Sequence, residues 1–543
     1  MLFLFPFLLS ILSVYLSDIH PFFPAKNTEN PNIILIYMDD LGYGDLSCNG
    51  ALGYTTPAID KLAAKGMRFT NFLTAQAVCS ASRAALLTGC YPNRMGVSGA
   101  YFPGSKVGLS PDEITIAELL KQKNYKTRAV GKWHLGDHPS FMPLNQGFDS
   151  YFGLPYSNDM WPVHYDGSPS ANWKKSIPTL PLILNKDTFA LIITLQEQGN
   201  LTKQYTERAI SFVESNKKAP FFLYLAHSMP HVPIAVSNRF KNYSGKGLFA
   251  DLMAEIDWSV DTIVRTLDRL GLSKNTMIIF TSDNGPWLNY GNHAGSAGGF
   301  REGKGTTFEG GHRVPAIICW PSVIPSGSIC NQLISTIDIF PTLAELLDLP
   351  LPKVQMDGLS FLPFLMGNLN QPIRREFLYY YRKNALEAVR YDHWKLVFQH
   401  PGRTYTQHLP GNDGFPGSTP EDFPFPVALY NLRRDPTELY DVQNAHPDIM
   451  EKLTQLANKA RADLGDDLTG ATGSGRRPVG TIHSKRPGFL ETKSWVTLPT
   501  IRLQFLHRKI QGWQHWGQIF PALRIPRFVF HRVGKLFFEC SAE

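Results

Sequence analysis

The sequence has few charged residues and few cysteines for its size. Only 18% of its 543 residues are charged, whereas 43% are hydrophobic. This excludes a chain that is disordered throughout, because disorder requires low hydrophobicity and high charge. Six cysteines in so long a chain also exclude a small fold held together by disulfides. The sequence therefore describes a large globular protein with room for more than one domain.

The most hydrophobic stretch of the sequence, residues 1–16, is too short to span a membrane. Residues 1–16, MLFLFPFLLSILSVYL, include Pro6 and fall short of the roughly 20 residues that a membrane-spanning helix needs. The run is typical of a cleaved secretory signal, which we place at residues 1–17. Secretion permits disulfides, whose pairing the spacing does not reveal, and N-linked glycans at Asn200-Leu-Thr and Asn242-Tyr-Ser.

Most of the chain has little net charge of either sign. The formal charge is +7, but residues 476–543 carry 12 Lys and Arg against 3 Asp and Glu. The rest is therefore close to neutral, which argues against a nucleic-acid partner for the main body. We interpret residues 476–543, which contain Trp495, Trp513 and Trp516, as a basic aromatic tail of uncertain order. The alternative is a patch that binds anionic glycans or a membrane.

From Asn32 to about Arg374, strand-like and helix-like segments alternate. Ile33 to Met38 is an apolar run of strand length, and a helix follows from Pro57 to the Gly66 that ends it. Further strands are expected at 68–73, 127–130, 221–226 and 277–281, with helices near 115–123 and 248–270. The alternation predicts an α/β domain over 31–374, with a largely parallel sheet covered by helices on both faces. In the last helix the apolar spacing predicts that four acidic residues face solvent: Asp251, Glu255, Asp257 and Asp261.

The pattern changes after Arg374. Short aromatic strands are separated by a Gly/Pro-rich loop at 400–426 and followed by a helix near 448–464. This predicts a smaller C-terminal sheet-plus-helix domain over 375–470. The loops at 159–187 and 400–426 are expected to set specificity, but their sequences contain no readable code.

Acidic residues follow two of the predicted strands. Asp39 and Asp40 end the first strand, and Asp283 and Asn284 end the strand at 277–281. Ligands of open α/β sheets bind beyond the carboxyl ends of strands, and oxygen ligands favour Ca²⁺ or Mg²⁺. The two segments together therefore predict a metal site, although each alone would also suit an acidic turn.

The segment CSASRAALLTG predicts a helix that begins near Cys79 and ends at Gly89. Arg83 lies four residues after Cys79 and so shares its helix face. A helix N-terminus with an arginine favours a tetrahedral anion, with a nucleophile at its mouth. From spacing alone, an ordinary capped helix with a buried cysteine is equally compatible.

Basic residues follow other predicted strands. Lys132 and His134 lie two apart in a segment read as extended, so both are expected to reach the site while Trp133 packs inward. His231 and Lys304 come from further loops. Such a pocket suits an ester that carries dense negative charge. Three other histidines are interpreted as structural: His227, His293 and His312.

Five segments together carry a family resemblance: DDLGYGD, CSASRAALLTG, GKWHLG, SDNGP and GKGTTFEGGHRVPA. In order and spacing they resemble the signature segments of the type I sulfatases over about residues 31–470. The resemblance implies an alkaline-phosphatase-like α/β fold, with a large mixed sheet flanked by helices and a smaller C-terminal antiparallel sheet-plus-helix domain. It also implies a sulfuric ester hydrolase of the arylsulfatase type.

The resemblance further implies that Cys79 is oxidised to formylglycine by a formylglycine-generating enzyme, and that its hydrate is the nucleophile. Arg83 would hold the hydrate and His134 would take its proton. Ca²⁺ would be bound by the modified Cys79 together with Asp39, Asp40, Asp283 and Asn284. The sulfate ester would be bound by Lys132, Ser157, His231 and Lys304. Ala81 stands where the family's modification motif has proline, and we expect partial to full conversion of Cys79.

Two other functions remain open at this stage. A phosphatase or phosphodiesterase of the same superfamily would share the metal-binding edge, but Cys79 with Arg83 argues against it. An inactive secreted protein could instead keep the pocket as a receptor for sulfated glycans. The sequence predicts the secretory pathway, with a lysosomal or an extracellular destination, and leaves the natural sulfated substrate and the oligomeric state open.

Overall fold

The computed structural model describes residues 30–369 and 371–482. The predicted signal at 1–17 and the tail from residue 483 onward lie outside the described residues. None of the helices in the described part combines the length and the apolarity that crossing a membrane would require.

The described part of the chain contains twenty strands and ten α-helices. The strands are β1 (Asn32–Met38), β2 (Met67–Phe69), β3 (Phe72–Leu73), β4 (Val107–Gly108), β5 (Lys126–Gly131), β6 (Ser150–Gly153), β7 (Leu180–Leu184), β8 (Asp187–Ile192), β9 (Phe221–Ala226), β10 (Thr276–Ser282), β11 (Ala316–Cys319), β12 (Ser328–Cys330), β13 (Ile334–Ser335), β14 (Glu376–Tyr381), β15 (Ala385–Tyr391), β16 (Trp394–Val397), β17 (His400–Gly402), β18 (Phe423–Phe425), β19 (Ala428–Asn431) and β20 (Gly480–Thr481). The helices are Pro57–Lys65, Cys79–Thr88, Ile116–Lys121, Leu195–Gly199, Leu201–Ser215, Leu248–Arg269, Glu309–His312, Ile339–Leu346, Leu362–Leu365 and Pro447–Leu464.

Ten strands form the main sheet, in the order β12-β2-β11-β10-β1-β9-β5-β6-β7-β8. The five central strands, β10, β1, β9, β5 and β6, run parallel to one another. β11 is antiparallel to β10, and β7 and β8 form an antiparallel extension at the other end. The sheet is therefore mixed, as the family resemblance implied, and the expectation of a largely parallel sheet holds only for its centre.

Strand β1 lies at the middle of this sheet because it is apolar on both faces. Ile33, Leu35 and Tyr37 pack into one buried cluster, and Ile34 and Ile36 pack into another on the opposite face. A one-residue shift would exchange the two buried faces, so the register depends on the close packing of the side chains on both of them. This fixes the point at which the acidic residues after β1 leave the sheet.

The strand predicted over 68–73 is wrong as a single element. β2 belongs to the main sheet, where it pairs with β11 and β12, whereas β3 pairs with β13 in a separate two-stranded sheet. The chain leaves one sheet and enters the other at Thr70 and Asn71. Apolar composition alone does not reveal such a change of partner.

The acidic face predicted for helix Leu248–Arg269 is also wrong in most positions. Asp251, Glu255 and Asp257 are buried, and each carboxylate accepts backbone N–H groups from other segments. Asp257 accepts those of Ala58–Ile59, at the start of helix Pro57–Lys65, over 2.9–3.0 Å. These N–H groups have no partner within their own helix, so a distant carboxylate caps them. Asp261 remains partly exposed.

The C-terminal part forms a four-stranded antiparallel sheet, β14-β15-β16-β19, which helix Pro447–Leu464 covers. Its core continues into the first part of the chain, because Ala85, Tyr91 and Phe308 belong to the same buried cluster. β17 and β18 pair with each other and so close the 400–426 loop. Residues 476–482, assigned from sequence to the tail, pack on the large domain: β20 pairs with β4.

Candidate active site

The two acidic segments meet because their strands are parallel neighbours. Met38 at the end of β1 lies opposite Ser282 at the end of β10. The residues that follow are joined by two hydrogen bonds: the Asp40 N–H donates to Asp283 Oδ1 at 3.1 Å, and Asn284 Nδ2 donates to Asp40 Oδ1 at 2.7 Å. All four side chains of this pair of segments are buried.

Cys79 is the first residue of helix Cys79–Thr88, as the sequence predicted. Gly89 ends the helix in the left-handed region, with φ of 72°, which glycine adopts without steric cost. Every residue of this helix is buried, and its small side chains allow that burial. One potential ligand atom from each of Asp39, Asp40, Cys79 and His231 falls within 4.8 Å of the others.

Arg83 extends from this helix into the acidic cluster. Its Nη2 and Nε donate to Asp283 Oδ2 at 2.7 and 3.1 Å, and Nη2 lies 3.6 Å from Asp39 Oδ1. Its Nη1 donates to the Lys132 carbonyl at 3.0 Å. The guanidinium is fully buried, so its charge is balanced by these carboxylates rather than by water.

Two lysines neutralise the first acidic pair. Lys132 Nζ lies 2.6 Å from Asp39 Oδ2 and donates to Ser157 Oγ at 3.1 Å. Lys304 Nζ lies 2.7 Å from Asp40 Oδ1. His231 Nε2 is 3.7 Å from Asp40 Oδ2. Three of the four residues assigned to the ester therefore lie next to carboxylates assigned to the metal, and Ser157 is joined to them through Lys132.

His134 does not lie in an extended segment, contrary to the expectation from its spacing. β5 ends at Gly131, and His134 has φ of 60°. Its Nε2 lies 2.9 Å from the Tyr101 carbonyl, which can only accept, so Nε2 is protonated and Nδ1 is left as an acceptor. Burial and the charges of Lys132 and Arg83 hold the pKa of His134 well below its usual value. A neutral imidazole with a free Nδ1 is suited to take a proton.

Trp133 packs inward as predicted, and its Nε1 donates to the Phe141 carbonyl at 2.8 Å. Of the three histidines interpreted as structural, His227 and His312 bind groups outside the site. His227 Nε2 lies 3.3 Å from Ser259 Oγ, and His312 Nδ1 lies 2.8 Å from the Thr74 carbonyl. His293 is half-buried beside Gly414.

The carboxylates differ in how well their charge is balanced. Burial raises the pKa of Asp39, but Lys132, His231, Arg83 and Lys304 outweigh it and hold that pKa well below its usual value. Burial, with the negative charge of Asp39, raises the pKa of Asp283 above its usual value. A further positive charge between the carboxylates would favour their ionised forms.

The donor set fits a hard divalent cation. Asp39 Oδ1 and Asn284 Oδ1 are buried and have no hydrogen-bond partner in the described part of the chain. Buried acceptors without partners are rare, and oxygen donors from carboxylates and an amide are the ligands that Ca²⁺ and Mg²⁺ prefer. The residues present at the ends of β1 and β10 therefore suit such an ion.

Sequence reasoning missed residues at the edge of the site. Trp287 places its ring 4.5 Å from Lys304 Nζ and 5.5 Å from the His231 ring. Asp159, partly exposed, interacts electrostatically with His231 and Lys132. The signals were positional: Trp287 follows SDNGP directly, and Asp159 lies two residues after Ser157, at the start of the 159–187 loop that was expected to set specificity.

Comparison with known families and structures agrees with this geometry. The sulfatase family model matches residues 31–349, and a model of the C-terminal region of aryl-sulfatase matches residues 373–479. Human arylsulfatase A is 37% identical over 452 residues, which cover 78% of this chain and 87% of that protein. Mouse N-acetylgalactosamine-6-sulfatase is also 37% identical, over 81% of this chain and 88% of its own.

Solved structures give the same result. The crystal structure of the PsFucS1 sulfatase from a Pseudoalteromonas species superposes with a TM-score of 0.72 at 28% identity, covering 80% of this chain and 91% of that one. The large mixed α/β sheet and the smaller C-terminal antiparallel sheet are thus those of sulfatase structures. The chain therefore belongs to the sulfatase family, a family of sulfuric ester hydrolases.

Proposed function

We propose that this protein is a secretory-pathway sulfatase that hydrolyses aryl sulfates or sulfated sugars or glycolipids, with Cys79 converted to formylglycine and with bound Ca²⁺. The catalytic domain would span 31–374 and the small domain 375–470. One observation carries the proposal: the buried Cys79 lies beside a cluster that gathers three carboxylates and three permanent cations from five separate segments.

The charge of the cluster suits a sulfate ester. Arg83, Lys132 and Lys304 balance the three carboxylates of Asp39, Asp40 and Asp283. A divalent cation held by Asp39, Asp40, Asp283 and Asn284 would make the site net positive. In a buried site, where charges are weakly screened, this attracts an anionic ester and stabilises negative charge on its oxygens.

The environment of Cys79 supports modification rather than direct use of the thiol. Burial raises the pKa of Cys79 to about 12, so the unmodified side chain would be a neutral thiol at physiological pH and a weak nucleophile. The side chain is also only 2% exposed. A modifying enzyme would therefore have to act before folding, which fits a formylglycine-generating enzyme in the secretory pathway.

When present, formylglycine would supply a hydrated aldehyde as the nucleophile, and the calcium ion would supply positive charge beside the sulfuryl oxygens. The chain's own side chains would do the rest. Lys132 and Ser157, which are hydrogen-bonded to each other, would contact the ester group together with Lys304 and His231. Arg83 would hold the modified side chain on its helix. The free Nδ1 of His134 would accept the proton that must leave before sulfate is expelled.

Location follows from the same proposal. A signal at residues 1–17 would deliver the chain to the secretory pathway, where glycans could be added at Asn200 and Asn242. Both a lysosomal and an extracellular destination are compatible with this. The relatives named arylsulfatase A and N-acetylgalactosamine-6-sulfatase support both an aryl sulfate and a sulfated sugar as test substrates.

The experiment compares a chromogenic aryl sulfate, the matching aryl phosphate and a panel of sulfated mono- and oligosaccharides, all in the presence of calcium. Wild-type protein should hydrolyse the sulfate in preference to the phosphate, and Cys79→Ala should abolish that activity. Cys330→Ala, which removes a buried thiol from edge strand β12, should retain it. Hydrolysis of the phosphate alone would identify a phosphatase. Binding of sulfated sugars without hydrolysis would identify an inactive receptor.

A further inference from the structure

Backbone hydrogen bonds join the loop that carries Lys304 to two other segments of the site, one next to Asn284 and one next to Cys79. The Lys304 N–H donates to the Pro286 carbonyl, and the Gly305 N–H donates to the Ala77 carbonyl, each over 2.9 Å. Pro286 lies two residues after Asn284, and Ala77 lies two residues before Cys79. The position of Lys304 therefore depends on how firmly this loop is held from its other side.

That other side is held by the segment between β17 and β18. The buried carboxylate of Glu302 accepts hydrogen bonds from Thr404 Oγ1 at 2.7 Å, from the Tyr405 N–H at 2.6 Å and from Thr406 Oγ1 at 3.0 Å. The Tyr405 hydroxyl donates to the Lys304 carbonyl itself at 2.6 Å. Four hydrogen bonds thus join three consecutive residues of the C-terminal part to two residues of the Lys304 loop.

We propose that Glu302, Thr404, Tyr405 and Thr406 form a clamp that positions Lys304 for the sulfate ester, so that the C-terminal part is required for catalysis as well as for folding. We call these four residues the Glu302 clamp. The proposal rests on the proposed function, in which Lys304 contacts the ester. Glu302 and Tyr405 are positioning residues in this account, because they act through Lys304.

The backbone of the loop supports a positioning role. Glu302 has φ of 60°, a left-handed conformation that costs a residue other than glycine about 1 kcal/mol or more. Such a conformation persists where the surroundings impose it, and here the carboxylate of the same residue receives three hydrogen bonds. Release of the carboxylate would therefore free the loop to relax.

The C-terminal sheet also approaches the loop closely at Gly305. This residue has φ of 80°, and a Cβ atom there would lie 3.0 Å from the Tyr381 hydroxyl and 3.1 Å from Arg403 Nη1. Glycine is thus favoured by the backbone conformation, and a side chain there would also make tight contacts with these two groups. The contact places the C-terminal sheet against the residue that follows Lys304, on the same side as the clamp.

Three substitutions separate the parts of the clamp. Glu302→Ala removes all three carboxylate contacts. Glu302→Gln keeps an acceptor for the Tyr405 N–H, and its amide can donate to the threonine hydroxyls, so it should restore much of the function. Tyr405→Phe removes the bond to the Lys304 carbonyl, together with the acceptor of a 3.3 Å hydrogen bond from Arg403 Nη1, and leaves the carboxylate contacts in place. Tyr380→Phe is the matched control, because the buried Tyr380 hydroxyl donates to the Gly465 carbonyl at 2.9 Å, away from the loop.

Two measurements are made on the full-length protein. Hydrogen–deuterium exchange of the peptide covering 301–308 reports how firmly the loop is held, independently of activity. Steady-state kinetics with an aryl sulfate, and inhibition by inorganic sulfate, report how well Lys304 is placed. A Lys304→Ala background tests whether the clamp acts through that lysine.

We expect Glu302→Ala to speed exchange in 301–308 and to lower kcat/KM about tenfold, with weaker inhibition by sulfate. Tyr405→Phe should lower kcat/KM by roughly threefold, and Glu302→Gln should lie near wild type. Tyr380→Phe should change neither readout. In the Lys304→Ala background, Glu302→Ala should change kcat/KM by less than about twofold, because the two residues act as one unit.

Unchanged exchange in 301–308 for both Glu302→Ala and Tyr405→Phe would overturn the clamp. Faster exchange with unchanged kcat/KM would also overturn it, because the clamp would then hold the loop without serving catalysis. Full, additive losses in the Lys304→Ala background would contradict action through Lys304. If wild type hydrolyses no sulfate ester, the proposed function fails, and the exchange measurement still decides whether the clamp exists.

Discussion

Replacement of Arg83 by methionine tests the metal site through stability rather than activity. Methionine is unbranched and fills a buried space without charge. The substitution removes two hydrogen bonds to Asp283 and one to the Lys132 carbonyl, and leaves the carboxylates of Asp283 and Asp39 without their shared guanidinium. Breaking a buried ion pair in this way costs about 3–5 kcal/mol.

Calcium should repair part of this loss. A ligand at one hundred times its Kd stabilises the folded state by about 2.7 kcal/mol. In Arg83→Met the ion no longer competes with the guanidinium for the same carboxylates. We therefore expect calcium to stabilise the variant by ~1–2 kcal/mol more than it stabilises wild type. Without calcium, the melting temperature should fall on the order of 3–5 °C below that of wild type, and calcium should narrow this gap.

The assay is thermal unfolding by calorimetry, in EDTA and in excess calcium. Arg374→Met is the matched control, because Arg374 forms a similar buried pair with Asp338, over 2.5 and 3.0 Å, remote in sequence from the acidic segments. The decrease in melting temperature that Arg374→Met causes should be the same in both buffers. If calcium does not reduce the decrease that Arg83→Met causes, the assignment of the cation to these carboxylates is refuted.

Three other outcomes follow from the structure. Ala81→Pro should raise the fraction of Cys79 converted to formylglycine, measured by peptide mass spectrometry. It should also lower the free energy of unfolding by about 1 kcal/mol, because it removes the Ala81 N–H, which donates to the Gly99 carbonyl at 3.2 Å. Burial raises the pKa of Glu387 to about 8, so the folded wild type keeps a proton that the unfolded state loses above about pH 4.3. Wild type therefore loses stability as pH rises from about 5 to 8, and Glu387→Gln should gain stability relative to it in thermal melts over that range. An unchanged difference across that pH range would count against the burial argument. Lys395→Met should lower the melting temperature by several degrees, because it leaves two fully buried carboxylates, Glu309 and Glu438, without their shared ammonium. A melting temperature equal to that of wild type would contradict this.

The sequence predicted the elements that are apolar on both faces. The strand predicted at 221–226 matches β9 to the residue, and the one at 33–38 misses a single residue of β1. Because these strands are continuous apolar runs with polar ends, their limits are visible in the sequence. The gathering of Asp39 and Asp283 was also predictable, because strands of the same direction end at the same edge.

Features that depend on distant partners were not predictable. The carboxylate of Asp257 faces inward because it caps a helix that lies 199 residues earlier in the chain. His134 turns into the left-handed region, although its spacing from Lys132 suggested an extended segment. Glu302 binds residues about 100 positions later. In each case the decisive contact is tertiary, and the local sequence pattern does not indicate it.

The antiparallel edges of the main sheet were missed for a related reason. β8 contains the apolar run Phe189 to Ile192, yet five of its six side chains are exposed, so its composition does not show that it lies at the edge of the sheet. β11 runs against β10, and its direction is set by the chain connection rather than by its composition. Composition predicts that a strand exists more readily than it predicts the strand's neighbours.

The most direct test of the central claim is the rate of aryl sulfate hydrolysis measured against the fraction of position 79 that carries the aldehyde, across preparations that differ in conversion. The account predicts that the rate rises in proportion to that fraction and vanishes when only the thiol is present. Hydrolysis by protein with an unmodified Cys79, or a fully converted protein that leaves every sulfate ester intact, would contradict it.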